Sequence, residues 1–197
     1  DVAEAVAAAR AAQPGWAATP PVQRGEVLMA VTNAMQRRRD DIAATVALET
    51  GKSMKDALGE TGGAILQARF MAGEGQRLYG RTTTSASPDK YAMTFRQPVG
   101  VAGLIVAANT PIANVAWKVF PALICGNAAV LKAPEDAPAT AAVFAEIAAE
   151  AGLPAGVLNV IQGLGPEAGE PIVEHRDVGV ISFTGSTQVG RTLIRQS

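Results

Sequence analysis

A doubly wound parallel α/β sheet, preceded by a helical lead-in and a β-ribbon arm, is the fold that this sequence predicts. Three observations predict it. From Val99 onward, short unbroken apolar runs alternate with helix-period segments, the rhythm of parallel strands covered on both faces. Before residue 80 the chain is alanine-rich, helical in period and charged on one side. Between the two, residues 80–98 follow neither pattern.

The elements follow in order. Residues 2–12 read as a short alanine-dense helix ended by Gln13-Pro14-Gly15. Residues 21–39 carry Val27, Leu28, Val31 and Met35 as a helical stripe. Residues 40–50 repeat it with Ile42, Val46 and Ala47, and Gly51 is a natural stop. Residues 53–73 place Leu58, Ile65, Leu66 and Phe70 at similar spacing. Thr82-Thr83-Thr84 and residues 91–96 are strand-like around a Ser87-Pro88-Asp89 turn. A two-stranded ribbon is marginal alone, so an arm between subunits of a homo-oligomer is expected. Strands are then expected at residues 101–107, 128–131, 157–161 and 178–183. Helices are expected at 113–124, 137–151 and 166–175, with another opening at Ser186. The predicted organisation is a helical segment over 1–79 packing on the domain behind it, the arm over 80–98, and an incomplete α/β domain over 99–197.

Composition removes whole classes of function. The chain has 197 residues, 48% hydrophobic and 18% charged, ample for a core. A formal net charge of −1 offers no basic excess for nucleic acid or an anionic membrane surface. At 5% aromatic, a base-stacking platform is not expected. One Cys and one His exclude an internal disulfide and a zinc site of those ligands. The longest apolar stretch, residues 99–108, is too short for a bilayer, which needs roughly 20 residues. With no targeting segment visible, a soluble cytoplasmic protein is expected. The start on Asp1 suggests a processed or excised chain.

In an open α/β sheet, ligands lie outside the carboxyl ends of the strands. All four predicted strands end in suitable residues: Asn109-Thr110-Pro111, Lys132-Ala133-Pro134-Glu135, Gly163-Leu164-Gly165 and Thr184-Gly185-Ser186-Thr187. Each alone is ordinary turn chemistry; four on one edge argue for a nucleotide crevice. At Gly185-Ser186 a strand passes into a helix, where glycine admits a phosphate and the helix start offers free N–H groups. A P-loop is excluded there because Arg191 stands where Lys is needed. It is excluded at Gly51-Lys52-Ser53 because Val46 replaces the first glycine. The run from Gly163 to Gly169 reads GxGxxxG, one residue away from the dinucleotide fingerprint, which allows a dinucleotide but not the usual turn. Lys132 can donate to ribose hydroxyls and Glu135 can accept from them; the competing reading is a solvated charged turn. A carboxylate at 135 would also repel a 2′-phosphate, favouring NAD over NADP.

Phe95-Arg96-Gln97-Pro98-Val99-Gly100, residues 105–111, Trp117-Lys118, Pro121-Ala122-Leu123, Gly126-Asn127 to Lys132, and Phe183-Thr184-Gly185-Ser186-Thr187 fall in order. Together with Glu49-Thr50-Gly51-Lys52, they resemble the aldehyde dehydrogenase superfamily over essentially the whole chain. The resemblance implies a Rossmann-like fold. It also implies oxidation of an aldehyde to a carboxylic acid through a cysteine thiohemiacetal, hydride transfer to NAD(P)+ and hydrolysis. By the same resemblance Asn109 is the catalytic residue, its amide stabilising an oxyanion. Lys132 and Glu135 match the adenosine-ribose contacts, Gly165 and Gly169 the adenine side, and Gly185 and Ser186 the pyrophosphate turn. Ile105, Phe183 and Val189 match the apolar walls of the groove. Asn114 and Trp117 match tunnel-lining positions, with ordinary helix packing as the rival reading. The implied partners are an aldehyde substrate and further copies of the chain, as a dimer or tetramer.

Two departures stand out. Ala107-Ala108 replaces the usual Pro-aromatic pair before the Asn, which should widen the site, and the proline near Lys132 comes at Pro134. The family's nucleophilic Cys and water-activating Glu have no counterpart before Ser197. The chain alone is therefore expected to be inactive, the first part of a longer enzyme. Cys125 at a helix end is expected to be core packing, and His175 a surface or capping residue. The rival from another class is a stand-alone nucleotide-binding or assembly module without redox activity. Asn109 speaks against it, because cofactor binding alone needs no oxyanion donor.

Overall fold

The apolar periodicities become eight helices and six strands among the described residues, 1–196 of a computed structural model. The lead-in comprises α1 (Val2–Ala18), α2 (Pro21–Arg37), α3 (Arg39–Thr50) and α4 (Met54–Gly73). Gly51 ends α3 in the left-handed conformation at φ 71°, and the Ser53 hydroxyl caps α4 by accepting from Asp56 N–H. The ribbon is β1 (Thr82–Thr84) paired antiparallel with β2 (Tyr91–Met93), every residue of both exposed.

The sheet contains β3 (Val101–Ile105), β4 (Ala128–Lys132), β5 (Leu158–Ile161) and β6 (Val178–Phe183), all parallel, in the order β5-β4-β3-β6. Helices α5 (Pro111–Ile124), α6 (Pro138–Glu150) and α7 (Glu170–Val173) connect them, and α8 (Thr187–Gln196) follows β6. Both central strands are buried along their whole length, as unbroken apolar runs require. On one face Ala102, Leu104, Ala129 and Leu131 share a core with α5, α6 and the lead-in helices. On the other, Val101, Ala128 and Val130 meet Val6 and Ala9 of α1 and Ile172 of α7. Gly103 has no side chain because Ile172 lies over it; an added Cβ would stand 2.5 Å from its Cγ2.

The structure corrects four expectations. Helix α1 does not end at Pro14 but runs through it to Ala18. Pro14 forfeits one helical hydrogen bond, and the buried Trp16 anchors the extension by donating from Nε1 to the Leu123 carbonyl at 2.8 Å. On α4 the buried stripe is Ala57, Thr61, Ala64, Ile65, Ala68 and Ala72, while Leu66 and Phe70 are exposed. Small residues let α4 pack close, so the large ones turn outward, and the Arg77 guanidinium lies 5.9 Å from the Phe70 ring centre. Cys125 is exposed rather than packed in the core, because one helical step rotates it away from the buried Leu123 and Ile124. The expected helix over 166–175 is a wide π-turn, Gly165–Gly169, running into the short α7. His175 is half-buried and its Nδ1 accepts from Asp177 N–H.

Candidate functional site

The sheet order locates the crevice. From β3 the chain steps outward to β4 and β5, then returns to the opposite side of β3 as β6, so the order reverses between β3 and β6. That reversal is where open α/β sheets bind ligands. The registers put Ile105 level with Lys132 on one side and Phe183 on the other, so three strand ends form one row.

A cavity of about 470 Å³ opens at this row. It brings together every residue that the resemblance assigns to the cofactor: Ile105, Lys132, Glu135, Gly165, Gly169, Phe183, Gly185, Ser186 and Val189 all line it. Ala107 and Ala108 line it too, at the places where a proline and an aromatic ring were expected. Asn109 lies one residue further on, exposed at the rim.

Lys132 is almost wholly buried and donates to the carboxylate of Glu135, which is about half exposed. This bond chiefly holds the Glu135 carboxyl below its usual pKa, with partial burial acting the other way. Gly165 begins the π-turn with nothing within 4 Å of a built Cβ, so its backbone is open to close approach. Gly185 is glycine for a second reason: a Cβ there would meet Phe183 Cζ at 2.3 Å, so the ring lies directly against the turn. Ser186 caps α8, its hydroxyl accepting from Val189 N–H at 3.2 Å. The first amides of α8, on Thr187 and Gln188, have no intrahelical acceptor, and the helix dipole adds positive potential beside them.

Asn109 is held from two sides. Its main-chain carbonyl accepts from Lys52 Nζ at 2.9 Å, and its side-chain Oδ1 accepts from Asn114 Nδ2 at 3.3 Å. Lys52 also pairs with Glu60, whose carboxylate is 5% exposed. The other oxygen of Glu60 accepts from the N–H groups of Ile112 and Ala113, at 3.1 and 3.3 Å, and so caps α5 from outside. Sequence reasoning missed Glu60. Its signal was there, since Glu60 stands three residues after Ala57 and four before Ala64 on the buried stripe, and an acid on such a stripe needs a partner. Lys118 was quoted only as part of a motif. Its ammonium donates to Ser182 Oγ on β6 at 2.8 Å, and burial lowers its pKa from the usual lysine value. Of the two tunnel candidates, Asn114 is buried in the α5 N-terminus and Trp117 is exposed.

Known proteins share the sequence pattern and the fold of this chain. The aldehyde dehydrogenase family profile matches residues 1–197. The α-ketoglutaric semialdehyde dehydrogenase of Bacillus subtilis is 39% identical over 193 residues, covering 98% of this chain and 40% of its own length. Aldehyde dehydrogenase 1A1 of Rattus norvegicus is 41% identical, covering 98% of this chain and 39% of its own. Among solved structures, an NADP-dependent enzyme of E. coli superposes with a TM-score of 0.97 at 37% identity, over 99% of this chain and 40% of that one. PnpE in complex with nicotinamide adenine dinucleotide gives 0.97 at 34%, over 100% and 40%. The chain thus spans about 40% of the length of the curated relatives it matches. With a family match along its whole length and a four-stranded parallel sheet of the same fold, the chain belongs to the aldehyde dehydrogenase family.

Proposed function

We propose that these residues form the cofactor-binding part of an NAD(P)-dependent aldehyde dehydrogenase that oxidises an aldehyde to a carboxylic acid. The nucleophilic Cys and the water-activating Glu lie outside the 197 residues in this reading, and the chain alone is inactive. One observation carries it: nine residues assigned to the cofactor, drawn from three strand ends, the turns after β4, β5 and β6, and the first turn of α8, line one cavity at the sheet's reversal point.

The residues present fit a dinucleotide. The open backbone at Gly165 accepts a flat group, the α8 amides and dipole suit a pyrophosphate, and Lys132 with Glu135 offers a donor and an acceptor to ribose hydroxyls. When bound, the nicotinamide group supplies the hydride acceptor. The chain's own part is to bind and orient. Phe183, Ile105 and Val189 exclude water from the groove wall, and the Asn109 amide donates to the carbonyl oxygen as negative charge develops on it.

NAD is favoured over NADP because the Glu135 carboxylate faces the cavity and already engages Lys132, leaving no free cation for a 2′-phosphate among the described lining residues. Isothermal titration of both cofactors tests this. Saturable NAD binding that weakens in Glu135→Ala is expected, together with a smaller NAD-over-NADP preference. Equal affinities of parent and variant would sink the assignment. The exposed β1–β2 ribbon supports assembly into a dimer or tetramer of the intact protein, readable by analytical ultracentrifugation.

A further inference from the structure

An oxyanion donor is useful only if its amide presents nitrogen, not oxygen, to the substrate. The two ends of an Asn carboxamide are nearly the same size, so shape alone does not choose between them. The surroundings of Asn109 do. Asn114, 4% exposed, sits one turn into α5 with its Nδ2 3.2 Å from the Ala107 carbonyl, 3.2 Å from Thr110 Oγ1 and 3.3 Å from Asn109 Oδ1. A main-chain carbonyl can only accept, so the nitrogen end of Asn114 must face Ala107. That same nitrogen faces Asn109, which must then offer its oxygen. Turning Asn109 over would set two NH2 groups against each other.

We propose that Asn114 is a positioning residue: it engages Asn109 Oδ1 and thereby presents Asn109 Nδ2 to the reacting carbonyl oxygen. The inference rests on the oxyanion reading of Asn109 and adds what sets the polarity of that amide. Lys52 supports the arrangement by fixing the main-chain carbonyl of Asn109. The side chain can then rotate about its own bonds only, and Asn114 sets that rotation.

The test uses the full-length gene product that carries these residues, assayed with NAD and with propionaldehyde and benzaldehyde. Asn114→Asp keeps the shape but replaces the donor by an acceptor, which draws the NH2 of Asn109 inward. Asn114→Leu keeps the volume and removes the hydrogen bonds. Losing one oxyanion donor lowers kcat by about 10²–10³-fold. Asn114→Asp is expected to approach the lower end of that range and Asn114→Leu to lose about tenfold, with KM for NAD unchanged. In an Asn109→Ala background both changes should cost almost nothing more, since no amide remains to orient. If Asn109→Ala lowers kcat while the Asn114 variants do not, or if their losses simply multiply, Asn114 has no positioning role. If Asn109→Ala leaves kcat intact, the oxyanion reading itself fails. An activity-independent readout comes from NMR of the same full-length product with its Asn side-chain amides labelled. The Asn114 side-chain NH2 should exchange slowly with solvent and shift in Asn109→Ala, whereas exchange as fast as that of a free Asn amide overturns the proposal.

Discussion

Replacing Glu60 separates two jobs that one carboxylate performs. One oxygen pairs with Lys52 and the other caps the first amides of α5, at Ile112 and Ala113. Glu60→Gln keeps an acceptor for the amides but removes the charge. Breaking one side of a fully buried ion pair costs about 3–5 kcal/mol. Lys52 is 19% exposed and still reaches the Asn109 carbonyl, so about 2 kcal/mol is expected here, roughly thirtyfold in the folding equilibrium. Glu60→Ala also strands the two amides. Ile112 is fully buried and Ala113 nearly so, and each orphaned N–H costs about 1–3 kcal/mol, which brings the total to about 4 kcal/mol at the low end of that range. With a urea slope near 2 kcal/mol/M, midpoints should fall by about 1 M for Gln and about 2 M for Ala. Urea unfolding followed by far-ultraviolet circular dichroism reads both. A Gln midpoint within about 0.2 M of the parent would refute the ion-pair argument, and an Ala midpoint no lower than that of Gln would refute the cap.

Three further outcomes follow from the same structure. Glu49 accepts from the N–H of Ala139 at 2.6 Å and from the N–H and hydroxyl of Thr140 at 2.8 and 2.6 Å, so Glu49→Ala should destabilise by about 2–3 kcal/mol in the same urea assay. Gly103→Ala places a Cβ against Ile172 and Ile181 and should cost about 1–3 kcal/mol by overpacking, lowering the thermal midpoint while NAD binding, read by calorimetry, shifts less than stability does. Because the Lys132 hydrogen bond lowers the folded-state pKa of Glu135, its stabilisation is fully present above the ordinary carboxylate range and is lost as pH falls through the lowered value. The gap between wild type and Glu135→Gln, no more than about 1 kcal/mol for so exposed a carboxylate, should therefore hold at neutral pH and close below about pH 4; a gap that widens in acid would contradict the pairing.

Much of the fold was legible because its signals are local. Unbroken apolar runs located all four sheet strands within about two residues, and Gly51 stopped its helix as glycine does. The crevice was legible for a different reason: strand ends of an open parallel sheet meet at one edge, so four turn sequences read separately could be summed. What stayed hidden was set by partners remote in sequence. Pro14 marks a helix end by propensity, but Trp16 reaching Leu123 across the fold overrides it. Leu66 and Phe70 have the right spacing for a core stripe, yet alanines on the adjoining face set the closer packing. Glu60 and Lys52 belong to one motif-bearing region and act on another, fifty or more residues away.

Those remote contacts share a pattern that explains why the helical lead-in and the sheet form one body. A buried helix leaves four N–H groups unpaired at one end and four C=O groups at the other. Here the lead-in answers both ends. Glu60 of α4 caps the start of α5, and Glu49 of α3 caps the start of α6. At the other end of α5, Trp16 donates to the Leu123 carbonyl, Arg24 Nε to Ile124 and Gln13 Nε2 to Gly126. Arg24 is 5% exposed, and burial lowers its pKa although Cys125 acts against that. An arginine is brought into such a place because carbonyls on both sides need a donor, and it also reaches Ala17 and Thr19 of its own segment. Helix α5 begins at Pro111, two residues after Asn109, so the groups that cap it also fix the rim of the crevice. The lead-in, which contributes no residue to the cavity wall, thereby governs where the candidate oxyanion donor stands.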